Sequence, residues 1–130
     1  MKIKLFSTIA ASALTFLPVV AQADVTLINN SDVNATAEVP HFPLCTGPNP
    51  AGIIYKKSVK TVPAAMVARG CKNHEKACVG IIYMSDDCSG TPIAKITMNL
   101  AENSISVDNY VIDGYIVSAS GTTLTLDHPS

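Results

Sequence analysis

From residue 24 onward, apolar and polar positions alternate with a period of two. Val33, Ala35, Ala37 and Val39 are separated by Asn34, Thr36 and Glu38, and Ala94, Ile96, Met98 and Leu100 by Lys95, Thr97 and Asn99. Leu124 and Leu126 interleave with Thr123 and Thr125 in the same way. Successive side chains of a strand point to opposite faces of the sheet, so this pattern predicts half-buried strands. Val79–Met84 is apolar in both phases, which predicts a central strand, with Ser85–Thr91 as the turn and Pro92–Leu100 as the returning partner.

Asp24–Ile28 and Val33–Val39 flank the tetrad Asn29-Asn30-Ser31-Asp32, whose turn-forming residues predict an opening hairpin. The last third holds three turn signals, Asp108-Asn109, Asp113-Gly114 and Ser120-Gly121, too closely spaced for three tight hairpins. Asp113-Gly114 is the preferred one. It suits a type I′ turn and lies between Tyr110-Val111-Ile112 and Tyr115-Ile116-Val117, leaving Asp108-Asn109 as a bulge or bend.

Two stretches depart from the alternation. His41–Gly52 contains Pro43, Pro48 and Pro50 and predicts an irregular loop. In Val62–Lys76, Pro63 ahead of Ala64–Arg69 offers a short helix stopped at Gly70; an edge strand broken at Pro63 is the preferred alternative. The expected fold is all-β, a small antiparallel β-sandwich or partly open barrel of about seven or eight short strands.

The N terminus decides where this domain starts. Lys2 and Lys4 precede an apolar run from Leu5 to Val20, and Ala21-Gln22-Ala23 supplies small residues for a signal peptidase. The run is too short for a lasting membrane span, so residues 1–23 read as a cleaved signal peptide and 24–130 as a single exported domain. Without Lys2 and Lys4, the 9 basic residues become 7 against 10 acidic ones, a net charge near −3. Lys56, Lys57 and Lys60 come nearest to a basic cluster, and a solvated strand face accounts for them, so nucleic acid is not an expected partner. No second long apolar stretch follows, so no span is expected in the mature chain.

The domain contains no Trp, and its core must be built from aliphatic residues. All four cysteines, Cys45, Cys71, Cys78 and Cys88, follow the signal, and an even count in a small exported domain predicts two disulfides. A strand running from Cys78 to Met84 holds its ends about 20 Å apart, which penalises Cys78–Cys88. Cys71–Cys78 closes a short loop and leaves Cys45–Cys88. This pairing is favoured over the other two, which stay open, and it requires the chain between Gly52 and Gly70 to cross the sheet.

Candidate chemistry is sparse. Cys71, His74 and Cys78 have metal-ligand types at usable spacing, but export favours the bridge, and neither a metal nor a cofactor is expected. His41, His74 and His128 lie in loops or near the C terminus with no nucleophile elbow, so no enzyme is expected. Asp86 and Asp87, like Asn29, Asn30 and Asp32, follow no calcium-loop spacing.

The remaining candidates are exposed loops: Pro40, His41, Phe42 and Pro43 in one, and Lys72, Asn73, His74 and Glu75 in the other. Constrained loops lose little entropy on binding, so the expected function is non-catalytic binding of a protein or a surface glycan. The alternatives are a protease inhibitor presenting 40–52 or 72–77 and, behind it, a periplasmic metal-binding protein.

Asp24-Val25-Thr26-Leu27-Ile28-Asn29-Asn30, the Cys71 and Cys78 pair, and Ile82-Tyr83-Met84-Ser85-Asp86-Asp87-Cys88-Ser89-Gly90 together resemble a group of small exported gamma-proteobacterial proteins of unknown function. The resemblance spans most of the mature chain. It implies a shared scaffold of strand, bridge and turn, and it brings no activity or site residues.

Overall fold

The structure, a computed structural model, describes residues 22–41, 44–47 and 49–128. These form two packed sheets and one short helix. The strands are β1 (Val25–Asn29), β2 (Thr36–Val39), β3 (Leu44–Cys45), β4 (Ser58–Val62), β5 (Cys78–Tyr83), β6 (Ala94–Asn99), β7 (Ser104–Asn109), β8 (Ile116–Ser120) and β9 (Thr123–Asp127). Helix α1 (Ala64–Gly70) lies between β4 and β5. One sheet has the order β4-β1-β9-β8 and the other β3-β2-β5-β6-β7. The architecture is the expected β-sandwich, with one departure from antiparallel pairing: β1 and β9, the first and last strands, run parallel.

The central strand and its partner form as the alternation predicts. β5 is third of five in its sheet, and β6 pairs with it from Cys78↔Met98 to Ile82↔Ala94. Ile82, Ile93, Ile96, Val117, Leu124 and Leu126 meet between the sheets. A second, smaller cluster of Val25, Val67, Cys71, Cys78 and Leu100 closes one end.

Residues 29–32 do not make a hairpin. β1 and β2 belong to different sheets, because both edges of β1 are taken, by β4 and β9. The buried Asn29 side chain carries the chain across: its amide donates to Val33 O (2.9 Å) and Ile54 O (3.0 Å), while its oxygen accepts from Ser31 N (3.0 Å) and Ser31 Oγ (2.7 Å).

The turns of the last third are also redistributed. Asp113 and Gly114 have φ of 54° and 78°, and Tyr115 N donates to Ile112 O (3.0 Å), as a type I′ turn requires. That turn sits in the passage from β7 to β8, between sheets, and joins no hairpin. The tight hairpin is the one at Ser120-Gly121, with Gly121 at φ 59° and Ser120 paired to Thr123. Asn109 ends β7 and reaches over the gap. Its side chain accepts from Val117 N (2.8 Å) and donates to Val117 O (2.7 Å), acting as a surrogate peptide group that joins the edge of β8 to β7. Asn109→Ala is therefore expected to lower the unfolding free energy by about 1–2 kcal/mol, read from urea denaturation, with Asn109→Asp no better because it cannot donate to Val117 O.

Helix α1 replaces the preferred edge-strand reading of the segment after Pro63, although β4, ending at Val62, is indeed an edge strand. Pro63 starts the helix without a side-chain cap; Asp24 Oδ1 accepts the Ala64 N–H (2.9 Å) from another part of the chain. Gly70 lies inside the helix, and Cys71 closes it. Among the described residues of the stretch expected as an irregular loop, Leu44–Cys45 form β3 and Pro50–Gly52 a 3-10 turn.

The lysines also divide. Lys56 and Lys57 are exposed, but Lys60 lies opposite Leu27, whose side chain packs in the core, so Lys60 is half-buried on the inner face. A uniformly solvated face is therefore not what holds them.

A candidate interaction surface at one end of the sandwich

Disulfides fix both ends of the sandwich. Cys45–Cys88 joins residues with Cα atoms 6.0 Å apart, and Cys71–Cys78 joins residues 5.4 Å apart. Between Cys45 and β5 the chain leaves for the other sheet as β4 and returns through α1, which is the crossing that the Cys45–Cys88 pairing demands. At that end Thr36 Oγ1 accepts from Cys88 N (3.0 Å), and the buried Gly47 packs so closely on Asp86 O that a Cβ would collide with it.

The opposite end carries both loops singled out by sequence. β2 runs antiparallel to β5, so Pro40 and His41 emerge beside the start of β5, where Cys78 anchors the 71–78 loop. His41 Nε2 accepts a hydrogen bond from Val79 N (2.9 Å), which leaves the ring proton on Nδ1. Its ring stacks on His74 with centroids 3.8 Å apart and planes 13° from parallel. Two loops predicted as separate candidates thus form one surface. Phe42 and Pro43 lie outside the described residues.

The 72–77 segment is exposed throughout but well tied. His74 N donates to Cys71 O (2.8 Å), Ala77 N to His74 O (3.1 Å), and Leu100 N to Glu75 O (2.7 Å), which fastens the loop to the β6–β7 turn. Asn73, at φ 69°, donates its backbone N–H to Glu75 Oε2 (3.0 Å). The Glu75 carboxyl is held below its ordinary range by its own backbone N–H and that of Asn73, with a smaller contribution from His74. Asn73, His74, Glu75, Lys76, Ala77 and Ala101 line an open, shallow depression. The surface presents imidazole faces, the Lys72 and Lys76 ammonium groups and one carboxylate.

At the other end of β5, Tyr83 Oη donates to Glu38 Oε1 (3.1 Å), and partial burial followed by this carboxylate raises the phenol above its usual range. The third histidine, His128, is at the far end. It stacks on Tyr115 (4.3 Å) and contacts Asp113 O (2.9 Å), so the chain is pinned close to its C terminus.

These contacts limit the chemistry. Both sulfurs flanking His74 are bonded and supply no thiolate, and among the described residues no group of three His, Cys, Asp or Glu side chains could hold a metal ion. Among the described residues, the hydrogen bonds of His41 and His128 go to backbone atoms. Of the calcium candidates, Asp86 Oδ1 accepts from the distant Asn34 Nδ2 (3.1 Å), and Asp87 Oδ1 accepts from Ser89 N (3.2 Å) within its turn. The 72–77 loop is coiled in successive turns, whereas a chain laid in a protease cleft is extended. Neither the convergence of the two loops nor the histidine stack has a local sequence signal, since 33 residues separate His41 from His74.

Fold and surface together define a small, doubly disulfide-bonded β-sandwich of exported type. No helix among the described residues is long and apolar enough to cross a membrane. Over residues 1–128 the chain matches the family described as the T2SS substrate NttC, and it belongs to that family. It is a secreted protein. It is also similar to the crystal structure of the Legionella pneumophila type II secretion system substrate NttC, with a TM-score of 0.66 and 18% identity over 84% of this chain and 100% of that one. At that identity the likeness is one of fold. No curated protein matches the chain.

Proposed function

We propose that this protein, cleaved after Ala23 and exported by the type II route that its family's description names, is a non-catalytic binding protein. Its recognition surface is the joint face of residues 40–41 and 72–77. The stacking of His41 on His74 carries this reading, because it couples two loops into one preorganised patch. A bridge at the base of one loop and a backbone hydrogen bond at the base of the other lower the entropy lost on binding. Imidazole faces beside ammonium and carboxylate groups suit the polar surface of a protein or a glycan.

The test is binding of the labelled mature protein to a glycan array and to intact cells. Lys72→Glu and His74→Ala are each expected to weaken binding about tenfold, as expected for residues at the centre of an interface. Val111→Ser, at the far end, should leave it unchanged. Equal binding by all three variants would remove the surface from consideration. A protease panel run in parallel covers the inhibitor alternative: stoichiometric inhibition lost on cutting within 72–77 would replace the binding reading.

A further inference from the structure

We propose that the free edge of β4 is a strand-addition site for an extended acidic peptide segment of a partner protein. This site is separate from the loop surface and does not depend on it.

Main-chain directions in β1 show which groups of β4 are free. Thr26 N donates to Thr122 O (3.0 Å) and Asn30 N to Leu126 O (2.9 Å), both toward β9. Alternation then turns Val25, Leu27 and Asn29 toward β4, where they pair with Val62, Lys60 and Ser58. The intervening Val59 and Thr61 point their N–H and C=O groups away from the sheet. Among the described residues nothing hydrogen-bonds these groups, and both residues are exposed, Val59 to 64%.

The other edges are short or partly covered. The edge of β8 faces β7, and Asn109 occupies the main chain of Val117. β3 is two residues long and ends in a disulfide. An open strand edge is normally blunted, and here the guard is Lys60, a charge turned inward on the edge strand.

That guard is selective. In a pairing of two β4 strands centred on this residue, Lys60 would face its counterpart in a second copy, and like charges directly opposite each other are destabilising. An apolar strand would leave the ammonium group without a partner. A carboxylate at the facing position would satisfy it, and the exposed Lys56 and Lys57 extend the positive strip along the same chain segment. Among the described residues, Asp32, 3.6 Å from Lys57, is the one acid paired there, and Lys57 also donates to Asn30 O (2.8 Å). The domain as a whole is acidic, so the concentration of lysine beside its open edge is a local feature. Main-chain hydrogen bonds would supply affinity and the lysines the choice of partner.

The test is NMR titration of the folded protein with a short peptide alternating threonine and glutamate, and with its lysine counterpart. The glutamate peptide should shift and protect the Val59 and Thr61 amides from exchange, with the lysine peptide binding at least about tenfold more weakly. Lys60→Glu should reverse that preference. Val59→Pro, which removes a donor that makes no bond to β1, should abolish binding while the melting temperature is kept. Equal binding of the two peptides, or no protection of Val59 and Thr61 at millimolar glutamate peptide, would overturn the proposal. Both of these results are read on the unmodified protein.

Discussion

Cys45→Ala combined with Cys88→Ala is expected to lower the unfolding free energy by about 4 kcal/mol, the chain-entropy contribution of a bridge that spans 43 residues. Domains of this size have total stabilities of about 5–15 kcal/mol, so the double variant should be close to unfolding at 37 °C. The aliphatic core offers little reserve. The effect should extend beyond the bridge, because Cys88 sits at φ 59° and donates to the buried Thr36 hydroxyl. Guanidinium denaturation measures it: a loss under about 1 kcal/mol would show that the 45–47 and 85–88 loops hold together without the bond.

Asn29→Ala is expected to cost about 3 kcal/mol, a large effect for the deletion of one amide. The residue is completely buried, and its four hydrogen bonds use both donors and both acceptor positions of the side chain. Truncation leaves the buried Ser31 N–H without its acceptor. Asn29→Asp should cost more at neutral pH, since a carboxylate oxygen would then face the Val33 and Ile54 carbonyls. Those carbonyls favour the protonated acid, so the folded-state pKa of this aspartate would be raised. The relative stability of the variant is then fully present below the unfolded pKa of about 4 and is lost as pH rises through the folded value. Thermal melts from pH 3 to 7 would show this. A pH-independent deficit would mean that the amide donors contribute little.

Some of this fold is legible without coordinates. The period-two segments at 94–99 and 123–127 become β6 and β9, and the doubly apolar 79–84 stretch becomes the central β5, because burial on one face or two is written directly in residue type. The strand span from Cys78 opposed its pairing with Cys88 for the same geometric reason. The structure departs from the local signals where a signal has more than one use. Asp113-Gly114 does adopt a left-handed turn, yet turn chemistry cannot say whether the strands on either side share a sheet. Helix α1 is offered by Pro63 and Ala64–Arg69 but is not the preferred reading, because its cap comes from Asp24, forty positions upstream, and because Val67 gains its burial in a cluster with Val25 and Leu100. Local capping rules read only neighbouring residues.

By itself, then, the sequence determined an exported β domain with aliphatic strands, two cysteine pairs and exposed polar loops, since export signals, strand periodicity and cysteine usage depend on residues close in the chain. The tertiary structure alone decided that β1 and β2 separate into different sheets, that His41 meets His74, and that β4 keeps an open edge guarded by Lys60. Each of those depends on which main-chain groups and faces are already taken by distant strands. That competition is settled only when the whole domain packs.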